Sequence, residues 1–467
     1  MAALACVVLA AGEGKRFNSK FPKPLQRLCG RTLMDHVLAP LESLEPDRIV
    51  IVVGSGREQI YEVLRDRRLE FAVQEEPLGT GHAALCAEDL LRDFEGTMLV
   101  TCADIPLVSR ATLQRLVDAH RARRATATIL TANMADPTGY GRIVRSRDGR
   151  VRAIVEHRDA TDEIRQIQEI NAGIYCFDAR RAFEELHQVK PDNVQGEYYL
   201  PDVIARLVAG GDVVTAVLAE NSREVIGINT REQLAQAEQI ARDRARMALL
   251  ESGVTLMDPA TVYADEGVRA GRDTIIGPGV LLLGDTVIGE DCEIGPYAQL
   301  RNCKVGNGVK VFQGAVVTDS VIADQSIVGP YCNIRSNSEV GAGSHVGSFV
   351  EVVRGKLGPG VKNLHFGYLG DAEIKAGVNI GAGTITCNYD GVNKHHTVIE
   401  ENAFIGSDSV LIAPVNIGEG AFVAAGSVIT DDVPPGGLGI ARGRQSNKES
   451  WTHPALRPQD EEQEPES

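Results

Sequence analysis

A chain of 467 residues with a formal net charge of −16 is too long for one ordinary hydrophobic core, so two or three domains are expected. The acidic balance, partly carried by the run DEEQEPE from Asp460 to Glu466, argues against a protein that coats nucleic acid or an anionic membrane. Any anionic substrate must be captured by local cations.

From the N-terminus, ALACVVLA is a short apolar run, too short to span a bilayer and preceded by no basic leader; no signal peptide is expected. It is followed by LAAGEGKRFNSKFPKPL, Leu9 to Leu25. A glycine-rich turn directly after a buried strand handles phosphate in many folds. Gly12 and Gly14 fit the start of a dinucleotide fingerprint, but Phe17 stands where its third glycine belongs, and a P-loop pattern also fails.

RIVIVVG and TMLVTCAD repeat the β-branched, apolar grammar of strands covered on both faces. Amphipathic segments such as LMDHVLAPLESL and GHAALCAEDLL alternate with them, which predicts an α/β layered domain. The polar stretches AAGEGKR, GSGRE and ADIP follow the C-terminal ends of the strands, the edge where open α/β sheets bind ligands. REQLAQAEQIARDRARMALLESG, Arg231 to Gly253, reads as one long helix capped by Asn229 or Thr230 and stopped at Gly253.

The grammar then changes. Residues 1–252 hold 16 of the 48 glycines and residues 253–467 hold 32. Aliphatic-Gly pairs recur from Ile288-Gly289 to Ile417-Gly418, many at spacings of six or near twelve. A six-residue period predicts a parallel β-helix in which each short strand turns one aliphatic side chain inward. The repeat breaks at VVRGKLGPGVKNLHFGYLGDAEI and ITCNYDGVNKHHTVI, and breaks in a rigid scaffold are where function is carried. The nine cysteines form no C-x-x-C pair, and Cys6, Cys86 and Cys176 lie in apolar runs. This favours reduced, buried thiols in a cytosolic protein over a disulfide or zinc framework.

These motifs, with QEEPLGTGHA, ADIPL, DPTGYGRI, IVEHRDAT, QEINAGIY, QGEYYL, IGIN and NIGAGTITCNYDGVNK, occur in family order. The chain resembles the bacterial bifunctional enzymes that are both N-acetylglucosamine-1-phosphate uridylyltransferase and glucosamine-1-phosphate N-acetyltransferase. The resemblance fails only in the acidic tail. It implies a Rossmann-like nucleotidyltransferase domain with a mixed sheet (1–230), a helical linker (231–252), a left-handed parallel β-helix of hexapeptide repeats (253–450) and an acidic, disordered tail (451–467). It further implies synthesis of UDP-N-acetylglucosamine for peptidoglycan and lipopolysaccharide precursors. Acetyl transfer from acetyl-CoA comes first, then uridylyl transfer from UTP with release of pyrophosphate. A cytoplasmic homotrimer acting on small molecules, with no nucleic acid and no membrane, is expected.

At the uridylyl centre the resemblance assigns the triphosphate loop to Leu9, Ala10, Ala11 and Gly12, with Arg16 and Lys23 as its two cations. Pro22 and Pro24 restrict the loop around Lys23. Uracil recognition falls on Gln74, Gly79 and Thr80. Cys102 and Ala103 adjoin the nucleotide or sugar, the family usually having Gly at the latter place. Asp104 and Asn229 correspond to the Mg²⁺ ligands, a sparse oxygen set completed by substrate phosphates. Gly141, Glu156 and Asn171 correspond to contacts with the N-acetylglucosamine part.

At the acetyl-transfer centre a neutral amine must attack a thioester, so a base is required. The resemblance gives that role to His365, with Glu351 and Asn388 as candidates to orient its ring. Arg335, Tyr368, Asn379, Asn388 and Tyr389 fall to the amino-sugar phosphate, and Ala382, Lys394, Ser407, Ala425 and Arg442 to acetyl-CoA. One departure stands out: Val353 occupies the place of a phosphate-binding Lys, so Arg354 or Lys356 must supply the charge. The alternative is weak glucosamine-1-phosphate binding, and Val353 is the best support for a second reading, a single-activity nucleotidyltransferase whose β-helix only oligomerises. A dinucleotide-dependent oxidoreductase is nearly excluded by Phe17 and by FPKPL, which stands where that fold would begin its helix.

Overall fold

A computed structural model describes residues 3–456. The run 457–467, most of the expected acidic tail, lies outside the described residues. The chain divides into two compact units: one runs from its start to Glu251 and includes Tyr263–Val268, the other comprises Ser252–Val262 and the chain from Arg269 onward.

In the first unit all seven residues of the strand Leu4–Ala10 are buried, as expected of a strand covered on both faces. Across the sheet the order is Val214–Leu218, Ala127–Asn133, Glu169–Asp178, Thr97–Cys102, Leu4–Ala10, Arg48–Val53, Glu70–Val73. Leu4–Ala10 lies parallel between Arg48–Val53 and Thr97–Cys102, with Leu9 opposite both Val52 and Cys102. Its C-terminal end is therefore a topological switch point, where the crevice of such sheets opens. Glu169–Asp178 runs antiparallel to both its neighbours, which makes the sheet mixed. Alternate residues build two cores, Val7, Val52 and Val100 on one face and Cys6, Val8 and Leu99 on the other.

LMDHVLAPLE becomes the helix Leu33–Glu42, started by a capping box between Thr32 and Asp35. GHAALCAEDLL forms two short helices, Thr80–Leu85 and Glu88–Leu91. Between them the Ala87 N–H bonds three residues back, to the Ala84 carbonyl, which tightens the turn and breaks the helix. The helix Arg231–Glu251 is capped by Thr230, whose hydroxyl accepts the Gln233 N–H at 3.2 Å. Gly253 follows it with φ +90°, a conformation suited to glycine. Its small residues Ala237 and Ala241 pack in one cluster with Phe17, Leu28, Leu33 and Ile228. Phe17 is thus a core residue under this helix, with Arg231 over its ring. A glycine there would leave a cavity.

The second unit is a left-handed parallel β-helix. Three parallel sheets form its walls, and each coil adds a strand of two to four residues to each wall. Ile276, Ile294, Val311, Val328 and Val346 stack inside one wall, Leu300, Val317, Ile334 and Val352 inside the second, and Ile288, Val305, Ile322 and Val340 inside the third. Each such side chain contributes on the order of 1.5–3 kcal/mol by burial, so the six-residue period is the core itself. Asn363 breaks the aliphatic column: it is fully buried and neither amide atom finds a hydrogen-bond partner among the described residues.

Candidate active sites

The cavity at the switch point encloses about 260 Å³. Leu9, Ala10, Ala11 and Gly12 line it, with Lys23, Gln74, Gly79, Thr80, Cys102, Ala103 and Asp104. These residues come from four separate stretches, and the strand register brings them together. Gly14 adopts φ +62°, and a Cβ there would come within 2.9 Å of the Lys23 Cβ; the glycine lets Lys23 fold over the loop. The Lys23 ammonium donates to Asp104 Oδ2 at 2.6 Å and to Asn229 Oδ1 at 2.8 Å. Two oxygen acceptors from distant parts of the chain therefore converge on one positive centre. Burial pushes the Cys102 thiol well above the ordinary cysteine range, so it lines the cavity as a neutral group.

Arg16 is not among the lining residues. It stands exposed on the turn Lys15–Phe17 and makes no side-chain hydrogen bond or ion pair among the described residues. Three lining groups escaped the sequence reading, Pro77, Ala83 and Glu197. Glu197 lies in QGEYYL, and that segment shapes GTGHA. Gly81 N–H donates to the Tyr198 carbonyl at 2.7 Å, and Leu200 N–H donates to Thr80 Oγ1 at 3.1 Å. A Cβ on Gly79, at φ +113°, would meet the Tyr198 oxygen at 2.6 Å. The glycines are required by this close backbone approach.

Gly141, Glu156 and Asn171 cluster at the hairpin Arg142–Arg145 and Val151–Val155. Asn171 N–H donates to the Gly141 carbonyl at 2.8 Å, and Glu156 Oε1 lies where a Cβ on Gly141 would crowd it at 2.8 Å. Burial pushes the Glu156 carboxyl up to about 7, with Asp159 and Asp202 adding repulsion and Arg142 opposing it. The folded protein thus holds this proton more tightly than the unfolded chain does. Stability from this group is present at low pH and is lost as pH rises from about 4.5 through about 7. Glu156→Gln is expected to raise the melting temperature more at pH 8 than at pH 5; an equal change at both pH values would refute that origin.

In the β-helix the residues ascribed to acetyl-CoA form a column. His365, Ala382, Ser407 and Ala425 each stand two residues beyond the paired, successive positions Asn363, Ile380, Ile405 and Val423 of one wall. They occupy one corner of four consecutive coils. Arg442 joins that corner by donating to the Ala425 carbonyl at 2.7 Å. Asn379 lies on that same wall, next to the inward Ile380 and paired with Lys362 and Phe404. Lys394 pairs with Tyr389 across the loop that Asp390 closes by accepting the Val392 and Asn393 N–H groups.

His365 is exposed and makes no side-chain hydrogen bond or ion pair among the described residues. Neither candidate orienting group is hydrogen-bonded to it. Glu351 accepts from Arg335 at 2.7 Å, and the Asn388 amide donates to Asp371. Asp371, which the sequence reading did not single out, also receives both hydrogen bonds of the Arg354 guanidinium, at 2.6 and 2.8 Å. That pairing holds the Asp371 carboxyl below the usual carboxylate range. The strand Val350–Val353 has ended by then, and Arg354 takes φ +52°, so its side chain leaves the strand's alternation. Val353 sits in register between Arg335 and Gly370 and is buried. Lys356 lies on the next wall, paired with Glu373.

A switch-point cavity rimmed by a glycine loop and a buried lysine, joined in one chain to a hexapeptide β-helix, defines a two-domain transferase of the nucleotidyl and acyl kinds. Comparison with known proteins agrees. Residues 6–196 match the MobA-like NTP transferase domain, 260–362 the GMPPB C-terminal domain, and 396–431 the bacterial transferase hexapeptide of six repeats. The bifunctional protein GlmU of Shouchella clausii is 47% identical over 445 residues, covering 95% of this chain and 98% of its own. Its counterpart from Geobacillus sp. (strain WCH70) is 48% identical over 95% of this chain and 96% of its own. That from Exiguobacterium sibiricum is also 48% identical, over 95% and 99%. A solved UDP-glucose pyrophosphorylase complexed with UDP-glucose is similar at 18% identity and TM-score 0.45, covering 52% of this chain and all of that one. The chain belongs to the bifunctional GlmU family. It is a bifunctional transferase of UDP-N-acetylglucosamine synthesis, with a nucleotidyltransferase domain and a hexapeptide acetyltransferase domain.

Proposed function

We propose that the two activities are carried by the two clusters just described, uridylyl transfer in the switch-point cavity and acetyl transfer at the His365 corner. The observation that carries the first is the convergence of Lys23, Asp104 and Asn229 at the mouth of the glycine loop. The loop N–H groups from Ala10 to Gly12 face the triphosphate, while Gln74, Gly79 and Thr80 meet the uracil and Gly141, Glu156 and Asn171 the sugar. Lys23 and Arg16 offset the charge of two anions brought together. Asp104 and Asn229 would hold Mg²⁺, because their oxygens already aim at one cation. When bound, Mg²⁺ neutralises charge on the phosphate oxygens.

In the second unit His365 takes the proton of the sugar amine as the amine attacks the thioester carbonyl, and CoA leaves as the thiol. The column above His365 holds acetyl-CoA, and Arg335, Tyr368, Asn379, Asn388 and Tyr389 hold the sugar phosphate. A cytoplasmic homotrimer is part of the proposal. Exposed apolar groups on the β-helix support it: Phe404 and Phe422 stack 4.7 Å apart, and Leu438 is exposed beside Phe422 on the same wall. No helix among the described residues is long and apolar enough to cross a membrane.

The test is one incubation with glucosamine-1-phosphate, acetyl-CoA, UTP and Mg²⁺, reading free CoA thiol and pyrophosphate separately. Pyrophosphate that forms only from supplied N-acetylglucosamine-1-phosphate, with no thiol, would leave the β-helix purely structural. For the charge missing at Val353, geometry favours Arg354 over Lys356. Arg354→Ala should raise KM for glucosamine-1-phosphate by roughly tenfold or more, as loss of a charged hydrogen bond does, while Lys356→Ala leaves it unchanged. Arg354→Lys, which keeps a partner for Asp371, should recover part of the loss. Equal KM values for Arg354→Ala and the parent would end Arg354's role.

A further inference from the structure

Gln74 is buried, and both protons of its carboxamide are used. Nε2 donates to the Gly79 carbonyl at 3.1 Å and to His82 Nδ1 at 3.0 Å. An amide NH₂ can only donate, so His82 Nδ1 is the acceptor and the ring's proton sits on Nε2. The remaining atom, Oε1, is the end of Gln74 left to the cavity it lines. Turning the carboxamide over would set Oε1 against the Gly79 oxygen, an acceptor–acceptor contact at 3.1 Å, and would require the His82 proton to move from Nε2 to Nδ1.

The clamp is itself anchored. Gly79 carries φ +113° against the Tyr198 backbone. His82 sits on the helix Thr80–Leu85, whose start is tied to Tyr198 and Leu200 by the Gly81 N–H and the Thr80 hydroxyl.

We propose that His82 is a specificity-determining positioning residue: by accepting from Gln74, it locks the carboxamide with its oxygen toward the base. The inference rests on Gln74 meeting the pyrimidine edge. Uracil presents an N3–H donor there, which the locked oxygen accepts. Cytosine presents a bare N3 lone pair, which the locked oxygen repels. An unlocked amide could turn and donate its NH₂ to cytosine, so the lock excludes CTP as well as binding UTP.

The experiment measures kcat/KM for UTP and for CTP with the full chain, N-acetylglucosamine-1-phosphate and Mg²⁺, following pyrophosphate. The ratio of the two is independent of how much of a variant is folded. His82→Phe removes the acceptor and should lower the UTP-to-CTP ratio by roughly tenfold, chiefly by raising CTP use. His82→Asn keeps an acceptor oxygen and should hold the ratio within about threefold of the parent. A His82→Phe ratio within about threefold of the parent overturns the proposal, as does a His82→Asn ratio as low as that of His82→Phe. Gln74→Leu separates the two layers. If its ratio matches the parent's, Gln74 does not read the base and the underlying assignment fails with the lock. If its ratio falls while that of His82→Phe does not, only the lock is lost.

Discussion

His365→Ala is expected to lower thiol release from acetyl-CoA by roughly 10²–10⁴-fold, the usual worth of a positioned general base, and to leave pyrophosphate release from UTP and supplied N-acetylglucosamine-1-phosphate unchanged. The amine of glucosamine-1-phosphate is protonated near neutral pH, and an ammonium has no lone pair with which to attack a thioester. A neutral imidazole is the side chain suited to take that proton. His365 is placed for it: its ring is exposed, makes no hydrogen bond among the described residues, and stands in the column of Ala382, Ser407 and Ala425. Substitution at an exposed position without partners costs little stability, so the loss should lie in kcat and not in protein yield. The two clusters belong to different compact units, which is why the second activity should persist. If both activities fall together, the division of labour is wrong. If thiol release survives, another group is the base.

The architecture was legible because burial writes a period into each unit. Runs such as RIVIVV are covered on both faces, and the aliphatic hexads are the inward side chains of the β-helix. The glycine-loop side of the first cavity was legible for a related reason: polar turns after parallel strands gather at one edge. What stayed hidden depended on partner choice. Phe17 reads as a failed glycine until the helix Arg231–Glu251 covers it. Arg354 and Lys356 are equivalent as charges; only the strand end at Val353 and the left-handed backbone after it direct Arg354 to Asp371. The His365 column is spread along the chain at unequal intervals, because the loop closed by Asp390 lengthens one coil. His82 stood in a quoted motif, yet nothing in its neighbours along the chain indicates that its ring nitrogen would hold Gln74.

Lys23→Ala should lower pyrophosphate release by roughly 10²–10³-fold, the scale of removing one preorganised charge from a site of developing negative charge, with thiol release unaffected. Lys23 is not a solvated surface charge. Its ammonium is largely buried, at 14% side-chain exposure, between Asp104 and Asn229, whose oxygens also suit Mg²⁺. Gly14 makes room for it, and the turn Lys23–Leu25 is entered through Pro22 and holds the buried Pro24. Lys23→Arg should fail to rescue activity, since the planar fork cannot present one point charge to two converging oxygens in so narrow a place. Chelation of divalent ions should abolish pyrophosphate release and spare thiol release, because the proposed metal ligands lie in the first unit. The comparison of Lys23→Ala with Arg16→Ala is the sharper measurement. Arg16 is exposed and makes no ion pair among the described residues, so its proposed part comes only once the triphosphate is bound. Arg16→Ala should then raise KM for UTP, whereas Lys23→Ala should lower kcat. A Lys23→Ala enzyme with kcat intact would reduce the lysine to a structural counter-ion for Asp104 and pass the phosphate role to Arg16 alone.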